Sequence, residues 1–130
     1  MLIVDASVAH HACLARDGFA PLDGNNLAAP PLMWSETRSV LRTHVRRGAI
    51  STRAADLARS TLATCPITCE SPAGLGDEAW RVAEELGWAK TYDAEYLALA
   101  RLLGGRVITL DGRLRRGAGR TGLVITPAEL

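Results

Sequence analysis

Apolar positions along this chain fall into two rhythms, short unbroken runs and runs at helical spacing. Leu2-Ile3-Val4 is an unbroken run that stops at Asp5, the pattern of a short strand buried on both faces. The pattern returns at Arg106-Val-Ile-Thr-Leu110, which stops at Asp111, and again from Gly122 to Ile125. A weaker run, Cys65 to Cys69, contains Pro66 and so belongs near a sheet edge. Between these runs the spacing becomes helical. Ser7 is placed to cap a helix carrying Val8, Ala12 and Ala15 on one side and closing at Gly18. Pro30-Pro31 opens a second helix, which runs through Leu32, Met33, Thr37, Val40, Leu41, His44 and Val45 to Gly48. Ser51-Thr52 caps a third, with Ala55, Leu57, Ala58 and Leu62 inward. Leu75 to Leu86 is a fourth, ended by Gly87. Residues 17–30, rich in Asp, Asn, Gly and Pro, read as a loop with at most one helical turn.

The stretch from Thr91 to Arg113 organises the rest. Thr91 is a candidate N-cap, and Asp93 sits in the first helical turn, where the dipole favours a carboxylate. Tyr96, Leu97, Leu99, Ala100 and Leu103 form an apolar face, and Gly104-Gly105 stops the helix. The strand ending at Asp111 follows. Strands alternating with helices predict a parallel sheet, and no linker or repeat interrupts them. The expectation is one α/β domain spanning residues 1–130.

Acidic residues now matter by position. Asp5 and Asp111 end strands and Asp93 opens a helix, all on the sheet edge where ligands bind in open α/β folds. Asp5 alone reads equally as a helix cap. Glu36 lies one turn from both Leu32 and Val40, on their edge of the helix rather than the Arg38, Arg42, Arg46 side. A carboxylate there needs a partner, either an arginine or a metal ion. Four converging carboxylates would raise one another's pKa values and call for a cation among them. Hard oxygen donors select Mg²⁺ or Mn²⁺, which activates water and neutralises charge on a phosphodiester.

Composition changes this picture little. With 130 residues, 48% apolar and 22% charged, the chain is ordinary globular protein rather than disordered. A net charge of +1 decides nothing about a polyanionic partner. Cys13, Cys65 and Cys69 lack metal or redox spacing and read as small hydrophobes in a reducing compartment. No signal peptide or membrane span is legible, so a cytoplasmic protein is expected. Arg113, Arg115, Arg116 and Arg120 follow the last acid and are candidates for RNA phosphate contacts, with glycines lending adaptability. Trp34, Trp80 and Trp88 are candidates for base stacking or an interface, Trp80 and Trp88 more readily for the core. His10, His11 and His44 have no mutual metal spacing and read as packing or surface residues.

Taken together, LIVDAS, APPLMWSETRSVL, YDAEYLALA and VITLDGRL resemble the PIN-domain ribonucleases, and within them the VapC toxins of VapBC toxin–antitoxin modules. The resemblance covers essentially the whole chain, and its specificity lies in the order and spacing of all four pieces. It implies a three-layer α/β/α sandwich around a parallel sheet of about four or five strands. It also implies Mg²⁺- or Mn²⁺-dependent endonucleolytic cleavage of RNA. Carried over residue by residue, Asp5, Glu36, Asp93 and Asp111 would hold the metal, Asp5 and Asp93 directly and Glu36 or Asp111 through water. Ser7 and Thr109 match supporting polar positions. A homodimer held inactive by a VapB-type antitoxin is the implied assembly. The chain departs in its loop-like 17–30 region, where many relatives have a clearer second helix.

Rivals fare less well. A receiver domain wants adjacent acids after its first strand and a late-strand lysine, whereas Asp5 precedes Ala-Ser and Lys90, the one lysine, precedes a helix. A haloacid-dehalogenase-type phosphatase wants an aspartate where Ser7 stands. A non-catalytic PIN-like scaffold that binds a partner is the remaining alternative.

Overall fold

A computed structural model describes residues 1–130. In chain order it contains β1 (Leu2–Val4), α1 (Ala6–Leu14), β2 (Leu27–Ala29), α2 (Leu32–Arg46), α3 (Thr52–Ala63), β3 (Thr68–Cys69), α4 (Leu75–Leu86), α5 (Tyr92–Leu103), β4 (Arg106–Ile108), α6 (Gly112–Gly117) and β5 (Val124–Ile125). Single turns of 3₁₀ helix fill Ala20–Leu22, Gly119–Thr121 and Pro127–Glu129. No helix is long and apolar enough to cross a membrane.

All five strands are parallel, in the order β3-β2-β1-β4-β5. The chain steps outward from β1 to β2 and β3, then returns to the other side of β1 as β4. That reversal makes the gap between β1 and β4 the switch point, where a crevice opens beyond the strand ends. Right-handed crossovers place the helices of the outward path on one face of the sheet and those of the return path on the other. Packing agrees with this: α1, α2 and α3 contact one another, while α4 packs on α5. The result is the expected three-layer α/β sandwich.

Alanine-rich α5 is buried on nearly every side, from Tyr96 through Ala100 together with Ala94. It contacts β1, β4 and α4. Its small side chains let the helix axis lie close to the sheet, and Gly104 ends it in the left-handed conformation. Gly105 then passes so near the chain start that a Cβ would lie 2.7 Å from the Met1 carbonyl oxygen. These contacts fix where α5 begins, and hence where Asp93 stands.

Several sequence expectations need correction. Residues 17–30 are not only loop, because Leu27–Ala29 is the fully buried strand β2, paired with β1. Two alanines hide a strand from propensity; its burial comes from the sheet around it. Strand β4 stops at Ile108 rather than Leu110, and Leu110 is half exposed. Leu57 and Trp80 point outward, at 62% and 63% exposure, instead of entering the core. The glycine-bearing basic segment is ordered as α6 and a 3₁₀ turn, not an adaptable loop. Thr91 occupies the N-cap position of α5 without a side-chain capping bond. In α1 the cap is Asp5, not Ser7. All three cysteines are free thiols.

Candidate active site

Asp5 follows β1 and caps α1, so its backbone is extended while its carboxylate turns back over the first helical turn. It is 4% exposed. Its Oδ1 accepts hydrogen bonds from Ser7 Oγ at 2.6 Å and Val8 N at 3.1 Å, and its Oδ2 accepts one from Thr109 Oγ1. Thr109 is fully buried just beyond β4, in the register that continues the β1–β4 pairing. Ser7 Oγ accepts from Leu110 N, and Thr109 Oγ1 accepts from Asp111 N, both at 2.9 Å. Two hydroxyls therefore lock the end of β1 to the end of β4 and fix the orientation of Asp5. Burial pushes the Asp5 carboxyl above its usual range; the Ser7, Thr109 and Val8 hydrogen bonds pull it back, and the Asp111 charge raises it again.

Glu36 approaches from α2, half-buried, and the partner that the sequence left open is neither an arginine nor part of an ion pair. Tyr96 Oη donates to Glu36 Oε1 at 2.5 Å. Burial raises the Glu36 pKa; the Tyr96 bond lowers it, and Asp93, Asp5 and Glu95 raise it further. Asp93, in the first turn of α5, is raised by partial burial and by Asp111, against a lowering by Arg113. Asp111 caps α6 by accepting from Arg113 N at 2.9 Å.

All four acids line one cleft of about 470 Å³, with Ser7, His10, His44 and Tyr96 around them. None of the four forms an ion pair. They do not close into a ready-made cage, since no three acidic, histidine or cysteine side chains stand together at ligand spacing. Their oxygens are held apart instead, by the hydroxyls on Asp5, the phenol on Glu36 and the helix cap at Asp111. Hard oxygen donors without ion-pair partners, with Asp5, Glu36 and Asp93 raised by burial and then by neighbouring acids, are the chemistry that suits a small divalent cation.

The four arginines are not brought there together. Arg113 lines an adjoining cavity beside Asp93. Arg115 pairs with Glu129 at 2.7 Å, Arg120 donates to the Glu85 carbonyl, and the Arg116 guanidinium folds back beside Gly112. Sequence reasoning also passed over residues that line the cleft. Tyr96 was assigned only to the apolar face, yet it lies three residues after Asp93 and so on the same side of α5. His10 lies one turn beyond Ser7, and His44 two turns beyond Glu36; His10 Nε2 and His44 Nδ1 are 3.2 Å apart, with rings edge to face. Burial lowers the His10 pKa, as do His44 and His11.

Tyr96 carries a direct prediction. In Tyr96→Phe, Glu36 loses its one donor and its carboxyl becomes harder to ionise. The acid limb of any carboxylate-dependent activity should move to higher pH. The fold should lose about 1 kcal/mol, the usual net worth of such a bond. Paired pH profiles of the two proteins test this, and superimposable acid limbs would refute it.

The PIN-domain family matches residues 2–120. A VapC ribonuclease of Mycobacterium bovis is 34% identical over 88% of this chain and 88% of its own length, and ribonuclease VapC9 of Mycobacterium tuberculosis matches to the same extent. Among solved structures, PAE2754 from Pyrobaculum aerophilum superposes with a TM-score of 0.71 over 98% of this chain and 91% of its own, at 27% identity. VapC20 of Mycobacterium tuberculosis, a toxin that cleaves the sarcin–ricin loop, shares the fold with a TM-score of 0.62, covering 95% and 97% of the two chains at 22% identity.

Proposed function

The chain belongs to the PIN-domain family, among the VapC ribonucleases, and from that premise we propose that it is a toxin endoribonuclease dependent on Mg²⁺ or Mn²⁺. The whole of residues 1–130 is read as that one domain. The observation carrying this reading is the cleft itself: four acids at the carboxyl edge of the sheet, at the switch point, with no ion-pair partner.

Asp5 and Asp93 would hold the ion directly, and Glu36 or Asp111 through water. The ion supplies Lewis-acid stabilisation of the phosphodiester and lowers the pKa of water. This chain's residues do the positioning. Ser7 and Thr109 keep the Asp5 oxygens aimed, as outer-shell hydrogen bonds do for ligating carboxylates. Tyr96 holds Glu36 and favours its ionised form. Arg113, beside Asp93, offers a cation to a substrate phosphate. The partners on this reading are RNA, a VapB-type antitoxin that covers the cleft, and a second copy of the chain.

The test is cleavage of a labelled single-stranded RNA by the full chain with Mn²⁺ or Mg²⁺, with EDTA, and by Asp93→Ala beside wild type. Metal-dependent cutting lost in the variant is expected. Cutting that survives both EDTA and the substitution would refute the site, as would calorimetry showing that wild type binds neither ion.

A further inference from the structure

A second cavity, of about 560 Å³, shares Glu36 and Asp93 with the acidic cleft and continues away from it along Trp88, Lys90, Tyr92 and Arg113. Its volume is in the range of small-molecule sites. Glu36 and Asp93 thus stand between a hollow lined by acids and one that sets Lys90 and Arg113 beside them. We propose that this second cavity is a nucleotide subsite, seating the base and phosphate of one residue of single-stranded RNA beside the cut. The proposal rests on the ribonuclease reading and gives it a binding determinant.

Aromatic surface is the first support. Tyr92 opens α5 and keeps 57% of its surface in solvent, although Tyr96, one turn later on the same helix, is buried. Trp88 is half-buried and directed by the end of α4. Gly87 takes the left-handed conformation, and Trp88 N–H donates to the Ala83 carbonyl at 2.8 Å, which sets the direction of the departing chain. The indole lies beside Gly117 and lines the cavity. Two rings in one open cavity are the usual platform for unpaired bases, since every base offers a π-face.

Charge is the second, independent support. Lys90, the one lysine, and Arg113 form no ion pair within the chain, whereas Arg81, Arg101 and Arg115 all do. Unpaired cations beside two rings match a phosphate attached to a base. The neighbouring hollow does the reverse: four carboxylates without an ion-pair partner repel a phosphodiester until a cation enters. Affinity for RNA must then come from outside the four acids, and this cavity is contiguous with them.

The experiment is binding of a fluorescein-labelled single-stranded RNA decamer to the full chain in EDTA at low salt, followed by anisotropy, with Mn²⁺-dependent cleavage measured separately. Tyr92→Ala and Lys90→Ala are each expected to weaken binding by about tenfold, within the range of base–aromatic and phosphate contacts. Tyr92→Phe should bind as wild type does, and circular dichroism should be unchanged in all three. Decamers with one abasic nucleotide, moved stepwise along the strand, then locate the seated base. One position should weaken wild type and leave Tyr92→Ala no weaker than it already is. Wild-type affinity in Tyr92→Ala, indifference of wild type to every abasic position, or no binding by wild type would each overturn the subsite. Tyr92-dependent binding without metal-dependent cutting would instead remove the ribonuclease reading and leave the subsite standing.

Discussion

Asp5→Asn is expected to reduce RNA cleavage by about a hundredfold to a thousandfold or more, the scale of losing a preorganised charge at a reaction centre. The same variant should melt at least as high as wild type without metal. Two effects compete in that second outcome. Ionised Asp5 accepts three hydrogen bonds, and charge-assisted bonds are worth about 1.5–3 kcal/mol each at most. Against them stand burial to 4% exposure and the Asp111 charge, and the raised pKa says that these win. Asparagine keeps an oxygen for Val8 N, so the cap of α1 survives. Its amide can donate to Thr109, whose hydroxyl is free to rotate. The charge alone is removed. Cleavage and thermal melting on the same two preparations decide the matter. A fall of several degrees in melting temperature would mean that hydrogen bonds outweigh desolvation at this site.

How much of this was legible beforehand follows from physical cause. Strands β1 and β4 announce themselves because parallel strands buried on both faces must be continuously apolar; β1 stops at Asp5, while β4 stops at Ile108, three residues before Asp111. The positions of Asp5, Asp93 and Asp111 follow from where those elements end. Strand β2 was hidden because Leu27-Ala28-Ala29 has little intrinsic strand preference and is defined by its pairing with β1 and β3. Tyr96 was hidden differently. Its ring obeys the helical pattern of core residues, and only the tertiary fold brings its hydroxyl to Glu36, 60 positions away in sequence. Trp80 shows the converse error, an aromatic on an otherwise correct helix face count that ends in solvent. Periodicity identifies which residues share a side; it does not say what stands opposite them.

Without metal, the protein should lose stability as pH rises above the ordinary carboxylate range. The sign comes from three groups, Asp5, Glu36 and Asp93, whose folded-state pKa values lie above those of the unfolded chain, with half-buried Glu95 adding in the same direction. Between the unfolded values, at about 4, and the raised folded ones, the native state holds more protons than the unfolded state. Stability therefore falls with increasing pH across that window. Glu85 and Glu129 are shifted downward by Arg101 and Arg115, but both pairs lie largely in solvent and offset little. Lowered His10 opposes the trend only near the ordinary histidine range, so the comparison is made below it. A divalent ion that occupies the cleft reverses the trend, because it binds the ionised form. At about a hundred times its Kd it adds roughly 2.7 kcal/mol, and most where all the acids are deprotonated. Melting temperatures measured across this pH range, with EDTA and with Mn²⁺, should diverge as pH rises. Curves that rise together with pH, or that Mn²⁺ leaves unmoved, would show that the four acids do not act as one uncompensated cluster. A flattened EDTA curve in Asp5→Asn would place a share of the effect on that carboxylate.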